Sequence, residues 1–516
     1  MWMGNVRKFF GLLLLLTACH TSTPAPSGPP MSTWDDEQLG ITWSHTPAVA
    51  QRVGKRVDLA RQAGATWDRW SAFWFWLEQP HRPDPWGPGN FVFPGGDETF
   101  SHPDDPDAVT AFNFYAAAAG SRGRLETLIV LDGIARPYDC IAPTERGSRC
   151  YGSHERVQGL SLDPLRPDGS VNPDNHWASY VYHTVNYFAR FGIDTFQVFS
   201  EPNLAKHAGL YPGPWNNGPD PDDDEWADDY ARLVEVSLAA ARAANPHARI
   251  VLAASRSDME EYQAGTWLDR ALSAVEERQL QHDLAAIAVH SYQYPVWTRD
   301  MVQWMRQAHP ALAALPVWVT ESGVPLCSHY AQGHACVERQ EEQAAYVIQQ
   351  YAYALTVGAE RVFVHRLADD CEADFGLYDN DGGADPAGCE PGDYAPRAAL
   401  SAAQVIAGYL QGGQFVADES LLPPAAEHAR LVFVQPDQKV TALWATDQAV
   451  GVEIPLSETT CAYWIDQAGN WAALAGQSVF RKTLPAATAR GWLWRGLPMV
   501  GGYVFLLIET DLPCPR

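Results

Sequence analysis

Between residues 38 and 410 the chain alternates short apolar runs with longer stretches whose apolar positions recur at helical spacing. A short apolar run bounded by turn formers fits a strand buried on both faces. Recurrence at three and four positions fits an amphipathic helix. On this reading strand one is Gly40–Trp43, and a helix follows over Ala48–Ala63. Strand two is Ala65–Ser71. Strand three is Leu125–Asp132, with its run Thr127-Leu128-Ile129-Val130-Leu131, and strand four is Thr195–Ser200. Strands five to eight are Arg249–Ala254, Leu284–His290, Val317–Thr320 and Arg361–His365. Helical stretches separate them, among them Asn175–Phe191 and Trp226–Ala244, and Ala395–Leu410 closes the series. Eight strand–helix repeats predict an α/β chain folded as a (β/α)8 TIM barrel. An open doubly wound sheet is the alternative. Such a sheet usually carries a glycine-rich phosphate turn after its first strand, where this chain has Ser44-His45-Thr46-Pro47.

Past residue 411 the pattern shortens to alternating runs: Arg430–Val434, Val440–Ala445, Val450–Ile454, Ala462–Ile465 and Tyr503–Ile508. Punctuated by turn residues, they predict a small antiparallel β-sandwich. Packing against the barrel is its expected role, with sugar binding the alternative. The long insertions all follow strands: Gln79–Pro106, Gly133–Asp174, Asn203–Glu225, Pro325–Val337 and Ala368–Tyr394. Elaborated loops at the C-terminal ends of barrel strands are where such folds keep their chemistry.

The first residues read as a processing segment, set apart from the fold. Arg7 and Lys8 precede the apolar run Phe9–Leu16, which is too short to span a bilayer, and Leu16-Thr17-Ala18-Cys19 resembles the bacterial lipobox. That resemblance implies cleavage after residue 18 and lipidation of Cys19, with a Ser/Pro-rich tether to residue 37. An ordinary secretory signal with an incidental cysteine is the alternative. The expected organisation is therefore a signal peptide over 1–18, a lipidated tether over 19–37, a barrel over 38–410 and a sandwich over 411–516. Nine cysteines less Cys19 leave eight, an even number in an exported chain. Pairing by nearness joins Cys140 to Cys150, Cys327 to Cys336, Cys371 to Cys389, and Cys461 to Cys514. A metal site is the competing use, but no C-x-x-C spacing supports one, and no metal or other cofactor is expected.

Composition and charge sharpen this only a little. The net charge of −26 becomes −28 once Arg7 and Lys8 are lost with the leader. Such a surface repels nucleic acid and anionic lipid, so no nucleic-acid partner is expected, and membrane contact is expected through the lipid anchor only. Twenty Trp suit both a large core and sugar stacking. The sequence carries no signal for an oligomeric state.

The chemistry lies at two strand ends. Val198-Phe199-Ser200-Glu201-Pro202-Asn203 closes strand four, and Val317-Trp318-Val319-Thr320-Glu321-Ser322-Gly323 closes strand seven. Two carboxylates on one face of a barrel are what glycosidic cleavage needs: one protonates the leaving oxygen, and the other attacks the sugar carbon or activates water. In order and placement these motifs resemble the clan A glycoside hydrolases, retaining (β/α)8 enzymes with the acid/base Glu after strand four and the nucleophile Glu after strand seven. The resemblance covers roughly residues 38 to 410. It implies that Glu201 is the acid/base, Glu321 the nucleophile, and the substrate a carbohydrate.

By the same resemblance Arg69, in Asp68-Arg69-Trp70, stands where the clan places an Arg near the nucleophile. A guanidinium there keeps Glu321 ionised; a structural salt bridge is the alternative. His290 and Tyr292, in Val289-His290-Ser291-Tyr292, resemble the clan's His-x-Tyr that contacts nucleophile or sugar, against a plain core histidine. Phe375–Gly382 resembles the clan's turn after strand eight and has a faint likeness to a calcium loop, without the full ligand spacing. Two positions depart from the pattern. Ser200 replaces the Asn that binds the sugar 2-hydroxyl, and His365-Arg366 replace a Trp platform. Asn203, Ser200, His365 and Arg366 are accordingly candidate substrate contacts. So are Trp70, Trp74 and Trp76, which share one face if their stretch stays extended, and Trp86 and Trp215 on rim loops. The leading expectation is a retaining β-glycosidase, lipid-anchored in the cell envelope outside the cytoplasm. Its rival is a catalytically silent glycan-binding lipoprotein on the same barrel.

Overall fold

The computed structural model describes residues 38–42, 53–77, 91, 115–133, 157–202, 223–253, 259, 262–327, 335–369, 374–381, 391–420, 428–488, 493–494 and 497–514. Eight parallel strands close into a barrel: β1 (Leu39–Thr42), β2 (Trp67–Phe73), β3 (Glu126–Asp132), β4 (Thr195–Val198), β5 (Arg249–Ala253), β6 (Ala286–Tyr292), β7 (Val317–Gly323) and β8 (Ala359–Val364), with β8 pairing back to β1. Helices surround it: α1 (Val53–Gln62), the short α2 (Trp74–Leu77), α3 (115–121), α4 (His176–Ala189), α5 (Asp223–Ala244), α6 (Trp267–Glu277), α7 (Trp297–Ala308), α8 (Gln340–Thr356) and α9 (Ala398–Tyr409). The barrel strands read as continuous apolar runs because helices cover the sheet outside and side chains fill it inside. Helix starts are fixed locally. The Asn175 side chain accepts from Ala178 N at 3.0 Å to cap α4, and Thr266 caps α6 through Asp269 N.

The barrel floor is filled by Trp67, Leu128, Val251, Ala286, Ala288, Trp318 and Phe363. Trp67 meets Trp318 edge-on, with ring centroids 5.3 Å apart. Gly40 makes room for this packing, since a Cβ there lies 2.3 Å from the Phe363 ring. Alternation then sets which residues face the interior higher up. From Trp67 it selects Arg69, from Leu128 it selects Asp132, and from Ala288 it selects His290 and Tyr292.

The C-terminal strands are β11 (Gln414–Asp418), β12 (His428–Gln435), β13 (Gln438–Ala445), β14 (Val450–Pro455), β15 (Cys461–Asp466), β16 (Trp471–Ala473), β17 (Val479–Leu484) and β20 (Phe505–Thr510). Two short pairs complete the count: β9 (Tyr378–Asp381) with β10 (Pro391–Pro396), and β18 (Leu493–Trp494) with β19 (Leu497–Pro498). A six-stranded antiparallel sheet, ordered β11-β12-β13-β20-β15-β16, faces the β14–β17 pair across a core of Leu443, Val452, Ile454, Phe480, Leu484 and Leu507. Its other face packs on the barrel helices. Tyr353 meets Trp444, and Gln349 exchanges bonds with Gly501 N and Gly502 O, each at 3.0 Å. The fold is a TIM barrel carrying a C-terminal β-sandwich, packed against it as expected.

Several boundaries move. β7 runs on past Thr320 to Gly323, and β6 runs on to Tyr292. β4 stops at Val198, because Phe199 and Glu201 adopt φ of 62° and 47°, which no strand accommodates. The stretch read as a turn after strand eight, with a faint likeness to a calcium loop, contributes β9, and Asp379 faces Arg397 at 3.7 Å. Among the described residues two disulfides are formed, Cys327–Cys336 and Cys461–Cys514. Cys19, Cys140, Cys150, Cys371 and Cys389 lie outside the described residues, as do most of the rim insertions. No described helix is long and apolar enough to cross a membrane.

Candidate active site

Glu321 owes its direction to an irregularity in β7. Trp318 faces the barrel interior, so a regular strand turns Thr320 inward and Glu321 outward. The register shifts by one here: Val319 pairs with Val289, but Glu321 pairs with His290. The extra residue, Thr320, brings Glu321 onto the inner face beside His290. Glu201 reaches the same mouth by the left-handed turn after β4. Backbone in this region is costly for non-glycine residues and is typical of functional sites.

The two glutamates share one hydrogen-bonded network. Arg69 Nη1 lies 2.5 Å from Glu321 Oε1, and Arg69 Nη2 donates to Ser200 Oγ at 3.1 Å. Ser200 Oγ in turn lies 3.4 Å from Glu321 Oε1. Tyr292 OH donates to Glu321 Oε2. His290 Nδ1 stands 2.8 Å from Glu201 Oε1 and 3.4 Å from Glu321 Oε2. Its Nε2 is 3.5 Å from Arg69 Nη2. A guanidinium only donates, so Nε2 accepts, and the ring proton sits on Nδ1 facing Glu201. One oxygen of each glutamate lies within 4.8 Å of the other.

Burial pushes the Glu321 carboxyl up, but His290, Arg69, His365 and the Tyr292 hydroxyl together hold it well below the usual carboxylate range. His365 is held well below the usual imidazole range, by burial first and by Arg366 second. Arg366 Nε donates to His365 Nε2 at 3.2 Å, so Nδ1 bears the proton and bonds Thr42 Oγ1 at 2.8 Å. The ring is therefore neutral and fixed, edge-on to Tyr292 and Phe375. Gly323 permits this crowding, since a Cβ there lies 2.4 Å from the His365 carbonyl.

Glu201, His290 and Glu321 are also close enough to hold a cation in common. Both oxygens of Glu321 are already spent, one on Arg69 and one on Tyr292, and the guanidinium occupies the place of positive charge. This donor set suits a charged carboxylate better than a metal ion.

Of the sequence candidates, Glu201, Glu321, Arg69, Ser200, His290, Tyr292 and His365 come together in one mouth. Arg366 is buried and acts on His365. Trp70 and Trp74 do not belong to the site. Trp70 is the outward neighbour of Arg69 and packs on Phe188 of α4. Trp74 begins α2, so the chain is no longer extended there, and it stacks on Tyr180. Both are core residues, at most 1% exposed. Trp76 lies on α2, outside the residues whose side chains are described, and Asn203, Trp86 and Trp215 lie outside the described residues. One site residue escaped the sequence reading: Asp132, at the inward end of β3. Burial pushes its carboxyl up to about 7, Arg69 pulls it down, and Glu321 and Glu201 push it further up.

Residues 225–388 match the family described as glycosyl hydrolase catalytic core, a segment that holds His290, Tyr292, Glu321 and His365 but not Glu201. No protein of curated function matches the chain. Among solved structures, a family 39 glycoside hydrolase from Bacteroides cellulosilyticus WH2 is 16% identical with a TM-score of 0.57, over 93% of this chain and 82% of that one. A conserved exported protein from Bacteroides fragilis is 13% identical with a TM-score of 0.56, over 93% and 98%. A monomeric beta-xylosidase from Caulobacter crescentus CB15 is 12% identical with a TM-score of 0.51, over 94% and 98%. At these identities the structures share the fold. By that fold, and by the matched segment that carries half of the mouth, the chain is similar to glycoside hydrolases.

Proposed function

We propose that the protein is a retaining glycosidase acting on β-glycosides of an extracellular glycan or oligosaccharide. The observation that carries this reading is the facing pair Glu201 and Glu321, with oxygens within 4.8 Å across His290. Carboxyl groups roughly 5–5.5 Å apart suit double displacement, whereas inversion needs about 6.5–9.5 Å to seat a water. Glu321, ionised and aimed by Arg69 and Tyr292, attacks the anomeric carbon. Glu201 gives its proton to the departing oxygen, and the C–O bond to the aglycone breaks as the glycosyl ester forms. Glu201 then takes a proton from water, which attacks the same carbon and releases Glu321. The Nδ1–H of His290 takes up Glu201 Oε1, which leaves Oε2 to carry the transferred proton.

Ser200 and His365 favour the second reading, a glycan-binding protein without turnover. Ser200 points its hydroxyl at Arg69 and Glu321, and His365 offers a smaller ring than Trp. Its weakness is that binding alone has no use for an ionised Glu321 held against Glu201. We further propose processing at Cys19, a lipid anchor in the cell envelope outside the cytoplasm, a barrel over 38–410 and a sandwich over 411–516. A screen of aryl β-glycosides with wild type, Glu201→Ala and Glu321→Ala tests the reading. Turnover should vanish in both variants, and azide should restore it in Glu201→Ala with a glycosyl azide of retained configuration. Normal turnover by either variant, or an inverted azide product, overturns the assignment.

A further inference from the structure

The mouth holds a third carboxylate that the double displacement does not use. Asp132 ends β3 on the inward face, two positions above Val130 and level with Phe73 of β2. Its Oδ1 accepts from Gly133 N at 2.8 Å, and Gly133 adopts φ of 65°, a turn that fixes the carboxylate at the strand end. Its own backbone N donates to Tyr180 OH of α4 at 3.2 Å. The residue keeps part of its surface exposed, and the charged groups it senses are Arg69 of β2, Glu201 after β4 and Glu321 of β7.

Among the described residues the cation that Asp132 senses is Arg69, which is already engaged with Glu321 and Ser200. An acid placed in this way has its best partners in hydroxyl donors. We propose that Asp132 is a specificity-determining residue that accepts hydroxyl hydrogen bonds from the sugar seated between Glu201 and Glu321. This rests on the glycosidase reading. It also assigns the class of glycone: a neutral, polyhydroxylated sugar rather than one with a carboxylate on that side, which Asp132 repels. Hydroxyl donors favour the ionised form, and the free carboxyl titrates near neutrality. Affinity for a neutral sugar should therefore rise as pH rises through about 7.

The test uses the full chain with a parent 4-nitrophenyl β-glycoside and its monodeoxy analogues, on wild type, Asp132→Ala and Asp132→Asn. In wild type, removing one particular hydroxyl should lower kcat/KM roughly 10- to 100-fold, the worth of a hydrogen bond to a charged group. In Asp132→Ala that loss should vanish at the same hydroxyl and persist at the others, with the change mainly in KM. Asp132→Asn, which keeps an acceptor for Gly133 N, guards against misfolding, and it should remove the rise in affinity near pH 7. If every deoxy penalty survives in both variants, or KM and its pH dependence are unchanged, the inference is overturned. Glu321→Gln in the same assay separates this from the underlying reading. Turnover that persists in Glu321→Gln defeats the glycosidase assignment itself. A dead Glu321→Gln beside an unaltered Asp132→Ala defeats only the role of Asp132.

Discussion

The barrel interior has two layers carried by the same strands. In the lower layer Trp67, Trp318 and Phe363 meet edge to edge and make an apolar floor. Two or three residues higher, the same strand ends present the charged Arg69 and Glu321 and the neutral ring of His365, hydrogen-bonded and crowded. The floor is apolar on every strand that lines it. The upper layer is shaped by the bulge at Thr320 and the left-handed Phe199 and Glu201. A packed floor can hold irregular backbone above it, so the lower layer carries stability and the upper layer carries chemistry.

That division is testable by single substitutions. Glu321→Gln keeps an oxygen for Arg69 but loses the proposed nucleophile, and should lower turnover about 10⁴-fold or more while the chain stays folded. Steady-state kinetics beside a thermal melt reads both. Trp318→Ala should do the reverse. It opens a cavity in the floor, costs roughly 3–5 kcal/mol in urea unfolding, and leaves kcat per folded molecule within a few-fold.

Asp68 and Arg69 are neighbours on β2 and sharpen the same contrast. Asp68 faces outward, is fully buried and accepts from Ser121 Oγ at 2.6 Å. Burial pushes its carboxyl up from 3.8 to about 7. Its folded pKa lies above the unfolded one, so its contribution to stability is full below about 3.8 and is lost as pH rises to about 7. Asp68→Asn should therefore be more stable than wild type at pH 8, by no more than about 4 kcal/mol, and near equal to it at pH 4. Glu321 has the opposite sign. Its folded pKa is depressed, so its contribution is present above 4.5 and lost as pH falls below. The smallest effect belongs to Arg69→Lys. An ammonium keeps the charge beside Glu321 but gives up the second prong to Ser200, and kcat/KM should fall roughly 10-fold with little movement of the acid limb.

The two layers were not equally legible in the sequence. The floor and its strands follow from apolar periodicity, and the motifs around Glu201 and Glu321 mark the strand ends. The bulge at Thr320 leaves no trace in the pattern, yet without it Glu321 points at the helices. Asp132 reads as the first half of an Asp-Gly turn, so its inward placement depends on the barrel closing around it. Trp70 and Trp74 were misplaced for a similar reason. Which face of β2 a Trp occupies depends on Arg69 being inward, and β2 gives way to α2 one residue before the pattern needs it to continue. The contacts of Gln349 with Gly501 and Gly502 join residues some 150 positions apart and have no local signature.

The central claim is that Glu321 forms a covalent bond to the sugar. Incubation with 2-deoxy-2-fluoro aryl β-glycosides, followed by mass spectrometry of the peptides, tests it most directly. One sugar per chain, attached to Glu321 and absent from Glu321→Gln, is the expected result. A label on another residue, or turnover of the parent glycoside without any label on Glu321, contradicts the account.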